Sequence, residues 1–137
     1  VLRYRANYLT TVYLTLRNAG DTMARSHYYL SIADLAKAHG SDPRFSYSGA
    51  GPDDFATALQ HALRDADLFN RWRAAQPDPD AVDDHLAETD PQAEVSAKVS
   101  DLHIDVELLT ELPMSVVRQR LNLLIGSAWQ LRDMRSA

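Results

Sequence analysis

Cysteine is absent from all 137 residues. That absence excludes disulfide staples, thiolate metal sites, cysteine nucleophiles and iron–sulfur ligation in one step. No apolar run approaches the roughly 20 residues that a bilayer-spanning helix needs. The opening Val1-Leu2-Arg3-Tyr4-Arg5 carries no apolar stretch of the signal-peptide kind. A cytoplasmic protein is the plain expectation. Glycine is scarce, at five residues. The only cradle-like run, Ser48-Gly49-Ala50-Gly51, has no Gly-Lys pair, and Asp53 and Asp54 just after it would repel a phosphate. It reads as a turn.

What is present is ordinary for one folded domain: 45% hydrophobic and 24% charged residues over a length that buries a core without staples. The net charge of −5 is unevenly spread. Residues 1–47 carry +3, residues 48–111 carry fifteen acidic against four basic side chains, and the tail returns to +3. Phosphate backbones are repelled by such a middle, so nucleic acid is not the expected partner. A protein with a basic surface suits it better.

Apolar spacing predicts helices along most of the chain. Leu9, Val12, Tyr13 and Leu16 follow i, i+3, i+4, i+7. The β-branched residues Thr10, Thr11, Val12 and Thr15 leave room for a short strand hairpin near residues 8–30. A second helix would run from a cap at Asp21 to Gly40, with a fresh start at Ser31 open, and with Tyr28, Ile32, Leu35, Ala36 and His39 as its face. Residues 41–51 form a loop. The third helix is the clearest, with Gly51 as cap, Pro52 at its first position and Asp53 and Asp54 in its first turn. Its face continues from Phe55 through Phe69 and Trp72 to Ala75, with a kink near Asp67, until Pro77 and Pro79 end it. A short helix through Val82 and Leu86 follows. After Asp90-Pro91, Val95, Val99, Leu102, Val106 and Leu109 step by 4, 3, 4, 3, and after Pro113 so do Met114, Val117, Leu121, Leu124, Ala128 and Leu131 from a step of 3. That heptad spacing on both sides of a proline predicts an antiparallel helical hairpin. The expected architecture is all-α: a single helical domain over residues 1–137, an irregular bundle of five or six helices with the hairpin as its spine.

Chemical motifs are few. Residues 30–40, Leu-Ser-Ile-Ala-Asp-Leu-Ala-Lys-Ala-His-Gly, resemble the first helix and turn of a helix-turn-helix module. A recognition helix should follow at once with basic side chains. Here a long loop comes first, then Asp53 and Asp54. Of the five histidines no two stand at i, i+3 or i+4, so the zincin spacing is absent. The acidic cluster Asp83, Asp84, His85 and Glu88 reads as a solvated face, and Asp78 and Asp80 open no calcium loop because position twelve is Thr89. No cofactor, metal site or catalytic residue is expected.

The last predicted helix is apolar on two sides, with Leu121, Leu124 and Ala128 on one seam and Ile125 and Trp129 beside it. With Arg132 these six form the expected interface. The function expected is therefore a non-catalytic protein-binding module, a small adaptor, regulatory or inhibitory subunit, self-associating as a homodimer. The alternatives are a DNA-associated regulator built on a degenerate helix-turn-helix in residues 30–66, and a metal-dependent hydrolase built on the acidic cluster.

Overall fold

The computed structural model describes residues 24–49 and 51–137. It is an α+β fold, which overturns the all-α bundle. Strand β1 (Ser26–Ile32) leads through a single 3-10 turn (Leu35–Lys37) and a loop to α1 (Pro52–Arg64) and α2 (Asp67–Ala74). Two further 3-10 turns (Pro79–Ala81 and Asp84–Ala87) lead to β2 (Glu94–Ser100), β3 (His103–Thr110), α3 (Met114–Ile125) and β4 (Gln130–Ser136). The four strands form one antiparallel sheet in the order β2-β3-β1-β4. Since β1 and β2 both run against β3, they are parallel to each other with β3 between them. By the same logic β3 and β4 flank β1. Each helical crossover thus spans an intervening strand, the split β-α-β arrangement.

The predicted hairpin of helices fails first in residues 94–110. Along β3, Ile104, Val106, Leu108 and Thr110 are buried and alternate with half-exposed His103, Asp105, Glu107 and Leu109, a period of two. A step of four keeps a strand residue on its face, so Val95 and Val99 agree with either period. The steps of three do not: Leu102 lies at the hairpin turn, 96% exposed, and Leu109 lies on the outer face. At that turn Asp101 takes φ 55°, a conformation Asp tolerates better than most residues. The predicted second helix fails for the same reason. Tyr28 and Ile32 share a face at either period, and Leu30 between them decides, for all three are buried. The fresh helix start at Ser31 is likewise replaced: Asp34 caps the 3-10 turn through the Ala36 N–H at 3.1 Å. The helix face through Leu9 and Leu16, and the Asp21 cap, lie outside the described residues.

Other expectations fare better. Helix α1 starts at Pro52 from an extended Gly51, carries Asp53 and Asp54 in its first turn, and buries Phe55, Ala56, Leu59, Ala62 and Leu63. The kink near Asp67 is a full break that separates α2. Helix α3 starts after Pro113 as predicted but stops at Ile125, and β4 takes the place of its last predicted turns. Gly126 ends it at φ 62°, where a Cβ would sit 2.9 Å from the His39 carbonyl oxygen. α1 lies along β2 and packs on α3. Their apolar faces and the sheet residues Tyr28, Leu30, Ile32, Val106 and Leu108 enclose one core.

Candidate functional site

Catalytic chemistry needs converging groups, and the described histidines do not converge. His27 meets Glu107 at 3.0 Å, His61 meets Asp65 at 3.1 Å, His85 meets Glu88 at 2.8 Å and His103 meets Asp105 at 2.9 Å, each a separate pair. Among the described residues no group of three or more histidines and carboxylates could hold a metal ion. In the acidic cluster Asp83 caps a 3-10 turn through the His85 N–H and Asp84 pairs with Arg73. One alignment is invisible in the sequence: Ser115 Oγ lies 3.5 Å from His85 Nε2, whose other ring nitrogen meets Glu88. That separation exceeds the reach of about 2.6–3.2 Å for a poised nucleophile and base. All three side chains also stand open to water, so nothing there concentrates a charge on a reacting atom.

The buried polar groups are structural. Arg120, 0% exposed, donates to the carbonyl oxygens of Ala62 (3.1 Å), Leu86 (2.7 Å) and Glu88 (3.0 Å), with its guanidinium 4.9 Å from the Phe69 ring. Burial pushes it down to about 10. It staples the segment leading into β2 onto α1 and α3. Asp90 does similar work, accepting from the Thr110 hydroxyl at 2.8 Å and from the N–H groups of Gln92 and Glu111 at 2.9 and 3.1 Å. Burial, and then the negative charge of Asp90, raise the Glu111 carboxyl above its ordinary value.

The margin formed by β4 is different. After Gly126 the indole of Trp129 donates to the Gly126 carbonyl at 3.0 Å and to Asn122 Oδ1 at 3.2 Å, which fixes where the strand begins. β4 then pairs with β1, and a bulge lets Tyr29 face Asp133 while Leu30 faces Leu131. The extra residue, Arg132, donates to Ser31 Oγ at 2.8 Å. On the outer face Arg135 meets Asp133 at 2.9 Å and lies over Tyr29, which stacks on His27 with ring centres 4.4 Å apart. On the other face Leu131 and Met134 stand opposite buried Leu30 and Tyr28 yet are 42% and 54% exposed, because none of the described helices packs closely on this strand.

The backbone of β4 is also accessible. The Ala137 N–H donates to the Arg25 carbonyl at 3.0 Å, so residues 137 and 25 form a hydrogen-bonded pair. Antiparallel pairs alternate. Asp133 and Arg135 therefore direct their N–H and C=O toward β1, whereas Met134 directs its own off an edge that carries no further strand among the described residues. Asp133 Oδ1 accepts that Met134 N–H at 2.8 Å. The Asp133 carboxyl is held below the usual range by Arg135 and by this N–H.

The six residues expected to form an interface are not brought together on one face. Leu121, Leu124 and Ile125 are buried in the chain's own core. Ala128 and Trp129 pack half-buried at its margin, and Arg132 is on β4. Trp129 and Arg132 line a cleft of about 410 Å³ with Ser31, Lys37 and His103. The exposed residues of β4, Leu131, Asp133, Met134 and Arg135, are hidden from sequence reasoning because Leu131 completes the heptad count and the bulge breaks strict alternation. Among the described residues no helix is long and apolar enough to cross a membrane. Comparison with protein-family models, curated proteins and solved structures finds no match.

Proposed function

We propose that the chain is a non-catalytic protein-binding module that works by strand addition at β4, and that it self-associates there. The observation that carries this reading is the edge itself: all seven residues of β4 are exposed, and the Met134 backbone points away from the sheet. An added strand gains main-chain hydrogen bonds and covers the apolar side chains that the edge leaves bare. Magnitudes favour a reversible contact. Full burial of a large apolar side chain contributes about 1.5–3 kcal/mol, so completing the burial of Leu131 and Met134 supplies roughly half that for each. Each backbone hydrogen bond adds about 0.5–1.5 kcal/mol net. Association costs about 4–15 kcal/mol. Gain and cost are of similar size, which supports a weak, reversible contact rather than a permanent dimer.

Sedimentation velocity over a wide micromolar range tests this, with wild type beside Met134→Pro. Proline removes an N–H that β1 does not use, so the fold should survive while association is lost. A wild-type mass that stays monomeric, or a Met134→Pro chain that associates as the wild type does, would overturn the proposal.

A further inference from the structure

Resting on that reading, we infer that the occupant of the edge is the β4 of a second copy, paired antiparallel about a two-fold axis at Met134. Geometry restricts the choice. In a two-fold antiparallel pair, if residue i faces j then j faces i, and facing residues share a side of the sheet, so one residue must face its own copy. Arg132 is the bulge residue, a pair centred on Gln130 or Leu131 at the start of the strand would run straight into both bulges, and Ser136 leaves little overlap, which leaves Asp133, Met134 and Arg135.

Charge decides among these three. Centring on Asp133 sets two carboxylates against each other, and centring on Arg135 sets two guanidinium groups against each other. Like charges directly opposite are unfavourable. Centring on Met134 sets each Asp133 opposite an Arg135 of the other copy, twice over, and lays the two exposed Met134 side chains together on the side carrying the helices. The backbone agrees. Met134 is the one residue of the three whose N–H leaves the sheet, so two Met134 residues can exchange both main-chain hydrogen bonds at the axis.

Asp133 then has two positions. In the single chain its carboxylate closes the edge by accepting the Met134 N–H and the Arg135 guanidinium. In the pair it releases that N–H and accepts from the other copy's guanidinium. The residue that guards the edge against a strand without a matching basic side chain is the same one that recognises its own sequence.

The chain has no cysteine, so a single introduced thiol can form a disulfide only between molecules. Facing residues of a hydrogen-bonded pair lie about 5.5 Å apart at Cα, inside the disulfide window of about 4.4–6.8 Å. Met134→Cys should be trapped as a covalent dimer under mild oxidation, whereas Ser96→Cys on β2 should not. Asp133→Arg and Arg135→Asp should each weaken association by about tenfold, and the double variant should recover it, because each swap alone turns both cross-strand pairs into like charges. Association of the wild type without covalent trapping of the Met134→Cys chain, and without recovery in the double variant, would overturn the Met134 register while leaving strand addition intact. A wild-type chain that never associates would overturn both.

Discussion

Among the described residues the two edge strands of the sheet, β2 and β4, are each seven residues long and each hangs from one of the two central strands. Both carry exposed apolar side chains, Val99 on β2 and Leu131 and Met134 on β4. Both have a backbone N–H taken by a side-chain oxygen. The difference lies in where that oxygen comes from. On β2 the Val95 N–H donates at 3.0 Å to Gln60 Oε1, and Arg64 donates at 2.7 Å to the Ala93 carbonyl, so α1 supplies both partners as it packs along the strand. On β4 the guard is Asp133, the neighbouring residue of the same strand. Opening β2 would require a helix to leave the core, whereas opening β4 requires one side-chain rotation. Availability of an edge thus depends on what holds its guard, not on the apolar surface beside it.

The largest expected effect breaks the roofed side. Arg120→Ala leaves the carbonyls of Ala62, Leu86 and Glu88 without their donor and a void beneath Phe69. Bonds to a charged donor are worth about 1.5–3 kcal/mol each, and the expected loss in denaturant unfolding is at least about 3 kcal/mol. Gln60→Ala removes the guard of β2 and should cost about 1 kcal/mol with no gain in association, since α1 still covers the strand. If this variant associates through β2, the roof is not what distinguishes the two edges. Leu131→Ser should lower stability by no more than about 1 kcal/mol, since the side chain is only part-buried in the single chain, while weakening association.

The smallest effect concerns Glu111. Its native carboxyl keeps a proton to higher pH than the unfolded chain does, so the native state is favoured where the group is neutral and loses that advantage as pH rises from about 4.5 through the raised native value. Glu111→Gln should therefore raise the thermal midpoint at neutral pH. The gain should shrink as pH falls below the ordinary carboxylate range.

Local signals in the sequence suffice where several of them agree. The start of α1 is legible because Gly51, Pro52, Asp53 and Asp54 each favour a helix N-terminus at that position. The start of α3 is legible because Pro113 interrupts the chain. The strand hairpin is not, because valines four apart satisfy both periods and the heptad count outweighs the β-branched Val95, Val99, Ile104, Val106 and Thr110. Leu121, Leu124 and Ile125 do form a broad apolar surface, but the core they enter is that of their own chain. β4 is least legible. Its residues are polar at five of seven positions, and its availability arises from the span of the helical layer, a tertiary property.

Amide hydrogen exchange at Met134 and Val95 across a wide concentration range tests the central contrast most directly. Protection at Met134 should rise with protein concentration, as partner strands replace the Asp133 guard, while protection at Val95 stays constant under Gln60. Concentration-independent exchange at both amides, or a rise confined to Val95, would contradict the assignment of β4 as the binding edge.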